Sequence, residues 1–209
     1  VNPGGQSESI DPHKADYSAD ATRWAALQPD LVYFGGVTEN HAPQVLQALR
    51  NVGFTGSFMG ADGIGNDDFI KQAAGATNGG GIFSTLVGLP AAQLKDAGHD
   101  WYLKYSARFP EDKNPDFAPF GYEAGKVAIH AIAQVNRKDR EAVRAAVAAT
   151  KSDDLPGKTI LGNPWAFDAN GDTSLVTISV QQLESNAWGY KGVMIYDPAT
   201  KQWALQGGQ

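Results

Sequence analysis

The sequence predicts an α/β fold: a parallel sheet flanked by helices, with antiparallel-type return strands at the C-terminal end. Three observations predict it. Short β-rich runs alternate with helical patterns between residues 30 and 88, and that alternation implies right-handed crossovers and a parallel sheet. A helix-rich block fills 91–151. Residues 158–205 then change character to strand-like runs separated by turn dipeptides.

The elements follow in order. After a polar, Gly-rich start, "DPHKADYSADATRWAALQPD" offers Asp16 or Ser18 as a cap for a helix running to about Leu27, with Pro29 as its stop. "DLVYFGG" (30–36) is a short β-rich run ending in paired glycines and reads as a buried parallel strand. "HAPQVLQALRNVG" (41–53) puts Val45, Leu46, Leu49 and Val52 on one helical face, and Gly53 supplies the C-terminal cap. "GSFMGADG" (56–63) is the next strand, "NDDFIKQAAGAT" (66–77) a short capped helix, and "GGIFSTLVG" (80–88) a third strand. In 91–109, Leu94, Ala97, Trp101, Tyr105 and Phe109 recur at helical spacing. In 119–136, Ala124, Val127, Ala131 and Val135 do the same, and Asp139 caps a helix over 139–151. In the tail, Asn170-Gly171 and Asp197-Pro198 mark turns.

Composition narrows the function. The 209 residues include 42% hydrophobic and 19% charged ones, enough for a packed core. The net charge of -6, with "NRKDR" at 136–140 as the one basic cluster, argues against nucleic acid or an anionic membrane as partner. With no cysteine, disulfides, thiolate metal sites and a Cys nucleophile are excluded. No apolar run approaches the ~18 residues of a membrane span.

Ligands of open parallel sheets bind beyond the carboxyl ends of the strands. Two segments stand there, "GGVTEN" (35–40) and "GADGIGN" (60–66). Gly36 and Gly60 allow close approach of a ligand to the backbone. Asp62 can receive a ligand ammonium through charge-assisted hydrogen bonds, or it can serve only its own turn as a cap. The aromatic cluster "FAPFGYEAG" brings Phe117, Phe120 and Tyr122 to a helix start, either as packing or as a pocket wall. "FDANGDTS" (167–174) fails the calcium-loop test, because Gly171 stands fourth and Ser179 twelfth from Asp168. A surface hairpin turn explains it better. His13, His41, His99 and His130 are scattered without metal-site spacing, and no motif asks for a cofactor or metal.

The ordered run "DLVYFGG", "QVLQALRNVGFTGSFMGADGI", "FAPFGYEAGKVAIHAI", "GNPWAFDANGD" resembles the leucine/isoleucine/valine-binding family of periplasmic solute-binding proteins, over roughly residues 7–200. The resemblance implies a type I periplasmic-binding-protein lobe, one of two α/β lobes that close on an amino acid by a hinge motion. It implies that Asp62 holds the ligand's α-ammonium. It also implies that Val37 occupies a position often held by a ligand-contacting Tyr, and that Phe117 lines the side-chain pocket. Because Val37 departs from that pattern, the ligand's identity stays open among aliphatic amino acids, aromatic acids, amides and polyamine-like molecules. By the same likeness, residues 1–155 form the C-terminal-type lobe and 156–209 the crossover and return strands. The N-terminal lobe has no counterpart here, so a partial chain is expected.

The function expected is a binding component of an ABC transporter, not an enzyme. Its partners would be a small-molecule ligand and, in the full-length protein, an ABC permease. Its place would be the periplasm or, lipid-anchored, the cell exterior, and a partial chain could self-associate through open sheet edges. A sensor ectodomain of the same fold is the alternative. A hydrolase is a third reading, for which Asp62, Asp67 and Asp68 have no evident nucleophile beside them.

Overall fold

Pro and Gly punctuation sets the first half of the chain. In a computed structural model, residues 5–113, 115–197 and 200–207 are described. The elements are α1 (Ser18–Ala25), β1 (Leu31–Phe34), α2 (Ala42–Asn51), β2 (Ser57–Gly60), α3 (Asp67–Gln72) and β3 (Ile82–Val87). They continue with α4 (Ala97–Arg108), α5 (Ala118–Val135), α6 (Arg140–Ala149), β4 (Ile178–Glu184), β5 (Ala187–Asp197) and β6 (Gln202–Gly207). The six strands form one sheet in chain order, β1 to β6. β1, β2 and β3 pair in parallel and β5 with β6 antiparallel, so the sheet is mixed, as the α/β class with return strands requires.

By its internal contacts the chain divides into two compact units, Val1–Thr85 with Gln181–Gly189, and Leu86–Val180 with Tyr190–Gln209. The division passes through β3, β4 and β5.

The first unit is built on Val45, Leu46 and Leu49 of α2, all fully or almost fully buried with Phe58, Ile64 and Phe69. Phe34, Phe58, Phe69 and Trp188 run through it as a chain of rings with centroids 6.2, 6.4 and 5.9 Å apart. Such contacts add directional packing to the burial of large apolar surfaces. Arg50, at the last turn of α2, donates to the carbonyls of Phe54, Gly56 and Gly80 at 2.8, 2.9 and 3.2 Å. With Nε donating to Ala76 O at 3.4 Å, one guanidinium fork thus serves four carbonyls. Its own proton affinity is pulled down by burial.

The second unit packs α5 on α6 around Val127, Leu155 and Trp165. Asp139 caps α6 as expected, accepting from the amide of Ala142 at 3.0 Å. Asn170-Gly171 does form a turn: Phe167 and Thr173 bridge antiparallel, and Asp168 Oδ1 accepts from the amides of Asn170 and Asp172 at 2.8 and 2.9 Å. Pro198 of the second expected turn lies outside the described residues. The bend that joins β4 to β5 is Ser185-Asn186, both with positive φ (51° and 62°), the geometry that twists two strands into a hairpin.

Several local expectations need correction. The run 91–109 is not one helix. Ala91–Gln93 is a 3-10 turn, Leu94 is extended, and Asp96 has φ 51°, so α4 starts only at Ala97. Val52 and Phe109 fall at helix C-caps and are 36% and 40% exposed, outside the helices' buried faces. Ala124 faces solvent, while the acid beside it, Glu123, is buried with Val127 and Ala131. β1 is not buried on both faces: it is the first strand of the sheet, and Leu31 and Tyr33 are 46% and 58% exposed. α1 ends at Ala25 because the chain turns left-handed at Gln28, φ 50°. The first turn of α1 is held by Asp16, which accepts from the amide and hydroxyl of Ser18 at 2.9 and 2.6 Å.

Candidate ligand-binding site at the ends of the parallel strands

Strand register brings the site segments together. Phe34 of β1 lies opposite Gly60 of β2, and Gly60 lies opposite Ser84 of β3. The turns that follow β1 and β2 therefore start at the same end of the sheet, where an open parallel sheet binds its ligands. Each turn is a single 3-10 turn, Thr38–Asn40 after β1 and Asp62–Ile64 after β2.

Gly60 and Gly36 are sterically required. A Cβ on Gly60 would come within 2.7 Å of Ile64 Cδ1, and one on Gly36 within 2.7 Å of the Phe34 ring. Gly63 is tighter still, since a Cβ there would sit 2.3 Å from Val37 Cγ1. Val37, 39% exposed, thus packs directly on the turn that begins with Asp62.

Asp62 is half-buried at the head of its turn. The service its type offers a turn is performed by another residue. Asn66 caps α3, its Oδ1 accepting from the amide of Phe69 at 2.8 Å. The Asp62 carboxylate has no hydrogen bond or ion pair among the described residues, and neither oxygen is shut away from solvent. Other acids stand near it in sequence: Asp67 and Asp68 in the first turn of α3, Asp68 paired with Lys71 at 3.2 Å, and Glu39 in the turn after β1. A cation is the ligand group that such a setting favours.

The backbone around Asp62 is held on both sides, which the sequence did not signal. The carbonyl before it, Ala61 O, accepts from Ser84 Oγ at 3.0 Å. The carbonyl after it, Gly63 O, accepts from Thr38 Oγ1 at 3.1 Å and Asn66 Nδ2 at 3.0 Å. Thr38 and Ser84 are 1% and 0% exposed. The adjacency of Thr38 to Val37 in "GGVTEN" was the available hint.

Phe117 and Tyr122 belong to the second unit. Phe117 is the N-cap residue of α5 and is 57% exposed. Tyr122 packs against Trp101 with ring centroids 5.8 Å apart. Phe120 fills the space beside Gly88, where a Cβ would meet its ring at 2.4 Å. So Phe120 and Tyr122 are engaged in packing within their unit, while Phe117 is the most exposed of the three. Among the described residues no group of histidines and carboxylates has the arrangement of a metal site.

A family model described as periplasmic binding protein matches residues 4–183. The chain belongs to that family. Its members are solute-binding proteins rather than enzymes. A curated relative of this family member, the Leu/Ile/Val-binding protein homolog 3 of Brucella melitensis biotype 1, is 28% identical over 180 residues, covering 83% of this chain and 45% of the relative. Among solved structures, a leucine-binding protein from Thermotoga maritima superposes with a TM-score of 0.76 at 22% identity, over 94% of this chain and 53% of the other. A fatty acid ABC transporter substrate-binding protein from Thermomonospora curvata does so with a TM-score of 0.64 at 17% identity, over 94% and 49%. These superpositions share the fold, a periplasmic-binding-protein lobe. The chain spans about half the length of these relatives. None of its described helices is long and apolar enough to cross a membrane.

Proposed function

We propose that, in its full-length protein, this chain supplies one wall of a cleft that binds an amino acid or a related small amine for an ABC transporter, without catalysing a reaction on it. The observation that carries this reading is the Asp62 carboxylate: half-buried, at the end of β2, on an immobilised turn, and without a protein partner among the described residues. An ammonium would complete it through short, charge-assisted hydrogen bonds. Val37 packs against the ligand body beside it, and Gly36 and Gly60 keep the backbone close. The partner is the transporter's permease. The protein works in the periplasm, or outside the cell on a lipid anchor.

The two ligand classes named for the relatives separate here. A fatty acid and leucine both carry a carboxylate, but leucine alone carries an ammonium, and an unpaired acid repels the former and attracts the latter. Calorimetric titration of the full-length protein with the twenty standard amino acids, repeated with Asp62→Asn, tests the reading. The expected outcome is binding of at least one amino acid, weakened by about tenfold or more in the variant. Equal affinity of the two proteins would remove Asp62 from the site.

A further inference from the structure

We propose that Thr38, Asn66 and Ser84 are positioning residues that hold Asp62 in register for a ligand ammonium. The proposal rests on the reading of Asp62 given above and adds the device that aims it. Asn66 Oδ1 accepts from the amide of Phe69 at 2.8 Å, which orients the side-chain amide and leaves Nδ2 facing Thr38 and Gly63. Nδ2 donates to Thr38 Oγ1 at 3.0 Å and to Gly63 O at 3.0 Å. Thr38 Oγ1, having accepted one proton, donates its own to Gly63 O at 3.1 Å. The three groups close a triangle in which every proton has an acceptor.

This triangle joins the turn after β1 to the turn after β2, and Ser84 joins the turn after β2 to β3. The peptide unit that precedes Asp62 is thereby tied to β3, and the carbonyl of the next residue, Gly63, to the turn after β1, while the carboxylate is left unpaired. A hydroxyl buried to 1% or less is costly unless it is bonded. Here the hydroxyl bonds go to the carbonyls of the residues before and after Asp62 in its turn. A carboxylate aimed by rigid backbone loses little freedom when an ammonium arrives, and that preorganisation raises affinity.

The test uses the full-length protein as wild type, Thr38→Val, Thr38→Ser, Ser84→Ala and Asp62→Asn. Amide hydrogen exchange at Ile64 and Gly65 reports the turn, and Leu46 and Leu49 report the core. Thr38→Val should speed exchange of the turn about tenfold with the core unchanged, Ser84→Ala should do so from the other side, and Thr38→Ser should restore protection. Calorimetry then compares the amino acid bound most tightly among the twenty standard ones with its α-hydroxy counterpart, which keeps the carboxylate and side chain but has no ammonium. Thr38→Val should weaken the amino acid about tenfold and leave the hydroxy acid unchanged, and it should add nothing in an Asp62→Asn background. Equal weakening of both compounds, or faster exchange throughout the core, overturns the proposal and makes the triangle a support of the fold alone. Binding of none of the twenty, or binding indifferent to Asp62→Asn, overturns the ammonium reading itself, and positioning for it falls with it.

Discussion

Gly63 shows how little freedom surrounds the candidate acid. The Val37 side chain occupies the space that any side chain on Gly63 would need, with Val37 Cγ1, Cβ and Cα at 2.3, 2.8 and 3.0 Å from the added carbon. Gly63→Ala is therefore expected to destabilise the protein by about 2 kcal/mol through overpacking, read by urea denaturation. Val37→Ala in that background removes the 2.3 Å clash and leaves the 2.8 Å one, so it should recover part of the loss, a non-additive cycle. Full additivity would show that the two residues do not touch. Asp62 itself was legible as a choice between a turn residue and a ligand contact, because Asp in a Gly-rich turn at a strand end serves either use. Tertiary placement removed the first use by giving the cap to Asn66. Thr38 could not be read as its support, since the partners stand 25 and 28 positions away in the chain.

Helix α5 carries the largest difference between pattern and packing. Its apolar periodicity pointed to Ala124, Val127, Ala131 and Val135 as one face, yet the buried members of the first turns are Pro119 and the acid Glu123. The acid is paid for by its partners: Trp165 Nε1 donates to Glu123 Oε1 at 3.3 Å, and Lys126 Nζ lies 3.3 Å from Glu123 Oε2. Trp165 also reaches Thr159 at 3.2 Å and Lys126 reaches the carbonyl of Lys158 at 3.1 Å, so the pair ties the 156–167 segment to α5. Replacing one member of a buried pair strands the other. Glu123→Leu should cost about 3 kcal/mol by chemical denaturation. A variant as stable as the wild type would mean that the network carries no weight. Hydrophobic patterning misses such a residue because a charge reads as surface until its partners, 42 positions away in the case of Trp165, are folded onto it.

Acid sensitivity follows from carboxylates spread over the molecule. The hydroxyl and amide of Ser18 hold Asp16 below its ordinary value of 3.8, the amide of Ala142 and the Arg137 side chain do so for Asp139, and the amides of Asp172 and Asn170 for Asp168. A carboxyl whose folded value is depressed contributes stability that is complete above 3.8 and is lost as pH falls through the lower folded value. Melting temperature is thus expected to stay level on this account down to about pH 4 and to drop below it. The combined variant Asp16→Asn, Asp139→Asn, Asp168→Asn should fall less steeply over that window, and an unaltered slope would assign the acid response elsewhere. The sheet ends in two open strands, β1 with Leu31 and Tyr33 exposed and β6 exposed along its whole length. Open edges recruit other strands, so the 209-residue chain is expected to elute above its 22.2 kDa mass in size exclusion, concentration-dependently. Elution as a monomer at all concentrations would contradict this. Much of the α/β class could be read along the chain, because parallel-sheet architecture is written in short-range signals: apolar runs of strand length, caps, and Gly or Pro at the breaks. The position of Asp62 at a strand end was written there too. Whether its carboxylate stays free, which carbonyls steer it, and which acid lies buried were settled only by folding, because each depends on a hydrogen-bond partner that sequence distance conceals.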